Sequence, residues 1–402
     1  MSSFIDHEAL AAADENARAA FSSGLWFVCL FEVFCCNFAF FAFNDQGSKK
    51  QRPFLSTLCA ISNAAVVASL LAGQWTPYWN IAKVWLGDSN EDGFTREMKA
   101  IPDSAKVWMW WSALCAISLC NILFLAYVLI TRKSTATDDR TKRYERRLKF
   151  LAIPFVFTCA FRSVLPEVYA GDCLVEGEGC LSSRLVFFDH WINGVLVGRG
   201  LACFAEVCLV VQAALVVHRL NLDLGKFGSS YISAGTWVMP LLAVIAEICS
   251  YSCTFTTNNL FCAAENSFWT AKMCIAVVSC LYLYIYIGKL NLEKDARSAR
   301  AFTVCTMLTG CVYVPFMMTD DVPMYVSRYY RDVEMKKHFF TFYDGMIDSA
   351  YRRDATQDYS VWAEEMVWRG VYFSAVVWAS ILMAHAPRII FPSTKKSKTK
   401  IK

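Results

Sequence analysis

A long apolar stretch that carries two opposite charges, Trp191–His218, limits what this chain can fold into more than any other feature. A bilayer core of about 30 Å requires about 20 apolar helical residues, so this stretch is long enough to span it. Arg199 and Glu206 lie inside the stretch, almost two helical turns apart and therefore on one face. Placing an ionised group at that depth costs about 3 kcal/mol. The two charges are therefore expected to be paired or to reach a polar cavity.

The composition of the whole chain favours a membrane protein. Charged residues make up 18% of the sequence and hydrophobic residues 56%, whereas soluble domains have about 25% charged residues. The apolar residues are spread along the chain, which leaves little room for a large soluble domain. The sequence therefore predicts an all-α, polytopic transmembrane bundle of about nine helices. The predicted spans are Leu25–Phe43, Phe54–Trp75, Val107–Thr131, Leu148–Tyr169, Trp191–His218, Tyr231–Thr254, Asn266–Gly288, Ala301–Met318 and Met366–Ala386.

The charge of the connecting loops predicts the orientation, because Lys and Arg concentrate on the cytoplasmic side. The first, third and seventh loops and the C-terminal tail are basic. The fourth loop is acidic, and the sixth has no basic residue. This alternation places the N-terminus outside or in a lumen and the C-terminus in the cytoplasm.

The predicted organisation has five parts. Residues 1–24 form a surface tail or short helix, and residues 25–318 form the core bundle with eight spans. Residues 319–365 form a long amphipathic, aromatic loop outside the membrane. Residues 366–390 are the last span, and residues 391–402 are a basic cytoplasmic tail. The ending K-T-K-I-K resembles a di-lysine retrieval signal and equally fits a segment that touches anionic lipid. The expected location is the endoplasmic reticulum or another endomembrane, or the plasma membrane.

The sequence predicts no metal site, no cofactor and no catalytic constellation. Most of the 18 cysteines fall in apolar runs, where Cys behaves as a small hydrophobe. Cys173 and Cys180 lie in a polar loop and could close a disulfide in an oxidising lumen. The five histidines are scattered, and phosphate-binding, nucleophile-elbow and zinc-protease motifs are missing. No nucleic-acid partner is predicted.

Charged residues at a common depth form the main candidate site. Counted along the predicted helices, four charged residues lie about 10 Å below the outer surface: Arg162, Arg199, Glu247 and Lys272. Glu206 lies deeper, near the midplane. Carboxylates at the outer helix ends, among them Asp189 and Glu265, form a ring above them. Glu265 and Lys272 share a helix face and are predicted to form a salt bridge.

Several polar residues have a structural interpretation instead. Glu365 and Arg369 are spaced as a helical ion pair at the membrane interface. Asn37, Asn63 and Asn121 are expected to form hydrogen bonds between helices.

Three functions are compatible with these features. The favoured one is a secondary transporter or channel for a small ion or polar solute, because ionisable residues at membrane depth are functional candidates. A membrane-embedded enzyme could instead grip a phosphate-bearing lipid with Arg162, Arg199 and Lys272. A non-catalytic scaffold or assembly factor could use residues 319–365 as its docking surface. The predicted partners are the lipid bilayer and a small ion or polar solute.

Overall fold

The computed structural model describes Asn37 and residues 52–72, 102–131, 138–169, 184–290 and 296–389. Within these ranges the chain is all-α, as predicted, apart from three short strands. The predicted N-terminal tail, the basic C-terminal tail, and Cys173 and Cys180 lie outside the described residues.

Eleven α-helices and three strands make up the described regular structure, with one 3-10 turn at Gly225–Phe227. The helices are α1 (Arg52–Ala72), α2 (Asp103–Thr131), α3 (Asp139–Val164), α4 (Val195–Asp223), α5 (Ser230–Thr256), α6 (Asn259–Lys289), α7 (Arg297–Phe316), α8 (Val322–Glu334), α9 (Phe342–Tyr351), α10 (Tyr359–Val371) and α11 (Val377–Met383). The strands are β1 (Glu167–Tyr169), β2 (Arg184–Val186) and β3 (Asp354–Ala355). Two π-helical turns, Met317–Asp321 and Tyr372–Val376, join α7 to α8 and α10 to α11 without a break.

Among the described residues, six helical stretches are long and apolar enough to cross a membrane, as in an integral membrane protein. They are α1, α2, α4, α5, α6 and the continuous α7–α8 helix. The predicted count of nine is not confirmed, and neither is the orientation. Helix α3 is strongly charged over its first half, and the apolar part of α10–α11, Trp368–Met383, is short. Only Asn37 of the predicted span Leu25–Phe43 is described.

The helix that contains the predicted eighth span does not end at Met318. It continues through the π-helical turn and α8 as far as Glu334. Pro315 lies two residues before the π-helical turn and Pro323 two residues after it. A proline inside a helix removes a backbone donor, which is a recognised cause of helix irregularity.

Consecutive helices pack against each other from α1 to α7, and the chain then returns through α10 and α11. Helix α10 packs on α1 and α2, and α11 packs on α2, α3 and α4. Trp110 and Trp362 mark the centre of this contact; both are fully buried, with ring centroids 5.5 Å apart. The last helices therefore close the bundle over the first ones.

Amide side chains of the three asparagines form hydrogen bonds between helical segments, as predicted; Asn121 is buried, and Asn37 and Asn63 are partly buried. Asn63 Nδ2 donates to Asn37 Oδ1 at 2.8 Å. Asn121 Nδ2 donates to the carbonyl of Phe373 at 2.6 Å, and Trp378 Nε1 donates to Asn121 Oδ1 at 2.8 Å. These bonds satisfy polar groups that would be costly to bury alone.

A small folded cap covers the end of the bundle where α5 ends and α6 begins. It consists of the three strands, the end of α8, and α9. Strand β2 pairs antiparallel with β1 and parallel with β3. Arg184 of β2 is fully buried; its Nε lies 2.8 Å from Asp348 Oδ2, and its Nη1 donates to the carbonyl of Thr254 at 2.6 Å. The cap is thereby fixed to the end of α5.

A second buried ion pair and a disulfide hold the turn between α5 and α6. Lys337 Nζ lies 2.8 Å from Asp332 Oδ2 and donates to the carbonyl of Thr257 at 3.2 Å. Thr257 has a positive φ of 58°, which ends α5 in a left-handed conformation. Cys253 and Cys262 form a disulfide across the same turn.

Candidate functional site

Four charged residues form an outer charge cluster at the cap end: Arg162, Glu167, Glu365 and Arg369. Arg162 Nε donates to Glu167 Oε1 at 3.1 Å, and Arg369 Nη1 lies 3.8 Å from Glu167 Oε2. Arg369 also donates to the backbone carbonyl of Glu167 and to the carboxylate of Glu365. Basic and acidic groups are equal in number here, so the buried charges compensate one another.

The outer charge cluster joins three parts of the fold. Arg162 lies in the last turn of α3, and its guanidinium lies 5.7 Å from the ring centroid of Phe373. Glu167 begins β1, and Arg369 lies near the end of α10. Arg162, Glu167 and Arg369 are all buried. Any relative movement of α3, the cap and α10 must therefore rearrange these ion pairs.

Gly198 lets the carboxylate of Glu167 lie directly against α4. A Cβ atom at Gly198 would be 2.4 Å from Glu167 Cδ, well inside van der Waals contact. We expect Gly198→Ala to displace Glu167 from Arg162 and Arg369 and to lower stability by about 1–3 kcal/mol. Thermal unfolding of the detergent-purified protein measures this loss.

The matched control for that prediction is Gly194→Ser at the start of α4. A Cβ at Gly194 meets nothing within 4 Å, and Ser is a favourable residue at a helix N-cap. The control is expected to unfold like wild type. Equal unfolding temperatures for Gly198→Ala and wild type would contradict the proposed role of Gly198.

Five residues from α4, α5 and α6 form an inner charge cluster: Arg199, Glu206, Glu247, Glu265 and Lys272. Arg199 Nη2 lies 3.5 Å from Glu265 Oε2, which joins α4 to α6. Glu206 is half-buried, and its electrostatic interactions extend to Arg162 of the outer charge cluster. Within the inner charge cluster, Lys272 attracts it, and Glu247 and Glu265 repel it. The inner charge cluster contains one more carboxyl group than basic groups.

Glu247 of α5 is the least satisfied member of the inner charge cluster. It is 5% exposed, and neither carboxylate oxygen has a hydrogen-bond partner among the described residues. The thiol of Cys203 on α4 lies beside it without acceptable hydrogen-bond geometry. Burying an ionised carboxylate without hydrogen bonds is expensive. An ionised Glu247 therefore requires a further positive charge close to its oxygens.

The predicted salt bridge between Glu265 and Lys272 is wrong. Glu265 turns towards Arg199 on the neighbouring helix, and Lys272 Nζ lies 4.5 Å from the ring centroid of Trp269. Sequence spacing places the two charges on one helix face, but residues almost two turns apart are too distant along the axis for direct contact. A basic group over an indole face gains a favourable cation–π interaction instead.

The structure brings six of the seven predicted site residues into these two clusters. Arg162 belongs to the outer one, and the inner one holds Arg199, Glu206, Glu247, Glu265 and Lys272. Asp189 does not join them; its side chain is 74% exposed, and its carboxylate lies 3.6 Å from Arg353 Nε in the cap. Functional roles for the six stay predictions.

Sequence reasoning found one partner of Arg369 and missed the other. The predicted ion pair between Glu365 and Arg369 is confirmed, and Arg369 is buried and also lies beside Glu167. Glu167 is the central acceptor of the outer charge cluster, although its sequence position suggests only an outer helix end. A usable signal was the glycine next to Arg199, because a glycine allows close approach, and the group that approaches Gly198 is the carboxylate of Glu167.

The described part of the chain contains no group of three or more His, Cys, Asp or Glu side chains placed to hold a metal ion. The chain matches no protein-family model, and comparisons with curated proteins and with solved structures find no significant similarity. The site itself is therefore the basis for a functional conclusion.

Proposed function

We propose that this membrane protein is a secondary transporter or channel for a small ion or polar solute. The observation that carries this proposal is the buried, unpartnered carboxyl group of Glu247 inside a cluster that also holds Glu206 and Glu265. Ionisable residues at membrane depth are costly, and transport sites are where that cost has a function. A cation or proton bound at Glu247 would balance the excess carboxyl group.

The arrangement of the two charge clusters fits a transporter in which the inner charge cluster is opened alternately to each side of the membrane. The outer charge cluster lies at the cap end, between the inner cluster and that side of the bundle. Its ion pairs connect α3, the cap and α10, so their rearrangement would open or close a route along α4. Ion pairs that exchange partners are a common means of gating in such proteins.

The cap end is proposed to face the non-cytoplasmic side, in an endomembrane lumen or outside the plasma membrane. The Cys253–Cys262 disulfide at this end supports that orientation, since disulfides persist in oxidising compartments. The same orientation follows from the distribution of Lys and Arg in the loops.

A membrane-embedded enzyme that acts on phosphate-bearing lipid is the less favoured function. That function needs Arg162 and Arg199 free to grip a phosphate, yet Glu167 and Glu265 already hold them. A scaffold role for residues 319–365 is also less favoured, because the segment is tied to the bundle: Asp332 accepts from Asn259 of α6, and Lys337 donates to the carbonyl of Thr257 at the end of α5.

Reconstitution in proteoliposomes tests the proposal. We expect Glu247→Gln and Glu206→Gln to abolish flux while leaving folding intact, since each removes a charge and keeps the side-chain shape. Radioactive sodium or rubidium and a trapped pH dye report the flux. Asp189→Asn, in the exposed cap residue, is the matched control and is expected to transport like wild type. Wild-type flux in both glutamine variants would rule out the proposed role of the inner charge cluster.

A further inference from the structure

Three polar residues follow one face of α5 from its middle towards the cap: Glu247, Ser250 and Thr254. Their spacing of three and four residues places them on the same side of a helix, and the stripe rises about 10 Å. All three are buried, Ser250 and Thr254 completely. We call this set the α5 polar stripe.

The side-chain oxygens of the α5 polar stripe differ from the other hydroxyls of the same helix. Ser252 donates to the carbonyl of Ile248 at 2.8 Å, and Thr256 donates to the carbonyl of Ser252 at 2.6 Å. This bond to the preceding turn is the usual way in which a helical Ser or Thr satisfies its hydroxyl. Ser250 Oγ and Thr254 Oγ1 make no such bond. Thr254 Oγ1 has no hydrogen-bond partner among the described residues, and Ser250 Oγ lies beside the carboxylate of Glu265 without good hydrogen-bond geometry.

The neighbours of the α5 polar stripe come from α4 and α6, which pack on either side of α5. Glu265 of α6 lies next to Ser250, and Cys203 of α4 lies next to Glu247. The hydroxyl of Tyr251, which follows Ser250, lies against Gly200 of α4, where an added Cβ would be 3.1 Å away. The stripe therefore faces the inner charge cluster.

We propose that the α5 polar stripe binds a monovalent metal cation and conducts it between the cap end and Glu247. This inference rests on the proposed transport function and names its substrate class. Carboxylate and hydroxyl oxygens are the ligands that hard cations prefer. One monovalent charge neutralises the excess carboxyl group of the inner charge cluster, whereas a divalent ion would leave a buried positive charge uncompensated.

The cap end of the stripe is electrically balanced, so it does not repel a cation. Arg184 binds the carbonyl of Thr254, and Asp348 lies 2.8 Å from its guanidinium. Asp348 is shared with Arg352, which also lies 3.9 Å from Asp354, so two carboxylates balance the two guanidinium groups. The positive charge of Lys337, which binds the turn between α5 and α6, is compensated by Asp332, also at 2.8 Å. The Thr254 hydroxyl is therefore the first oxygen of the stripe that a cation from the cap side would meet.

Cation binding can be measured without transport. The detergent-purified protein is heated in sodium chloride, potassium chloride or choline chloride at equal ionic strength. A bound cation stabilises the folded state in proportion to its occupancy. We expect the unfolding temperature to rise with sodium or potassium and to saturate, while choline, whose charge is covered by methyl groups and cannot be coordinated by hydroxyl oxygens, has no such effect.

Matched variants on α5 locate the site. We expect Thr254→Val to raise the half-saturating cation concentration by about tenfold, because it removes one oxygen ligand. Ser250→Ala is expected to act similarly, and Thr254→Ser should retain wild-type affinity. The controls Thr256→Val and Ser252→Ala remove hydroxyls that are already bonded within the helix, and they should leave affinity unchanged.

The outcomes separate this inference from the transport proposal. If sodium, potassium and choline stabilise equally, or if Thr254→Val and Thr256→Val behave alike, the cation stripe is overturned even where Glu247→Gln abolishes flux. If wild-type protein binds a cation through the stripe but reconstituted vesicles show no flux, the binding site stands, whereas conduction along the stripe and the transport proposal are both overturned.

Discussion

Replacing Lys337 with Met is expected to lower the stability of the folded protein by about 3–5 kcal/mol, because it removes the positive charge that pairs with the buried carboxylate of Asp332. Both side chains are fully buried, and their charged atoms lie 2.8 Å apart. Asn259 Nδ2 also donates to Asp332 Oδ2 at 2.8 Å, but an amide cannot neutralise a carboxylate. The bond from Lys337 to the carbonyl of Thr257 is lost as well. The cap should therefore loosen from the turn between α5 and α6.

The unfolding temperature of the detergent-purified protein measures this effect, and limited proteolysis after α8 shows whether the cap is released. Lys142→Met is the matched control. Lys142 Nζ lies 3.7 Å from Asp139 Oδ1, with both side chains exposed, and exposed pairs contribute about 0–1 kcal/mol. A loss in Lys337→Met no larger than in Lys142→Met would show that the buried pair does not hold the cap.

The second large effect is expected at Gly345 in α9. A Cβ atom at this position would lie 1.8 Å from the backbone carbonyl oxygen of Phe255, and a backbone atom at the end of α5 cannot turn aside as a side chain can. We expect Gly345→Ala to push α9 away from α5 and to lower stability by about 3 kcal/mol. The displacement would also strain the ion pair between Arg184 and Asp348, because Asp348 lies on α9.

Gly288→Ala in the last turn of α6 is the control for Gly345→Ala, since an added Cβ at Gly288 meets nothing within 4 Å. Alanine is a better helix former than glycine by about 1 kcal/mol, so the control should be neutral or slightly stabilising. Hydrogen exchange of α9 amides is expected to increase in Gly345→Ala alone. Unchanged exchange and an unchanged unfolding temperature would mean that α9 does not pack this closely on α5.

Helices with uniform apolar sequences were predictable to within a few residues. The predicted span Tyr231–Thr254 corresponds to the helix Ser230–Thr256, because an apolar run between polar loops marks both ends. The predicted end at Met318 failed because Asp320 and Asp321 look like the start of a polar loop. In the structure Asp321 is buried and accepts a hydrogen bond from Asn266 of α6, so the helix continues.

The candidate site was partly predictable because its charged residues interrupt apolar runs. Charges inside apolar runs are visible in a sequence, and counting residues along each helix gives their depth. Their partners cannot be counted in this way. Arg199 pairs with Glu265 and not with Glu206. Asp189, predicted in the same outer ring as Glu265, instead lies beside Arg353 in the cap. Partner choice depends on how helices are rotated and which neighbours they meet.

The sequence by itself determined that this chain is a helical membrane protein with ionisable groups at membrane depth, because the distribution of apolar and charged residues along a helix is a local property. Only the tertiary structure decided that Glu167 lies against Gly198, that the cap is fixed by Arg184 and Lys337, and that the oxygens of the α5 polar stripe are buried facing the inner charge cluster. These features depend on contacts between distant segments, and such contacts leave no periodic signal in the sequence.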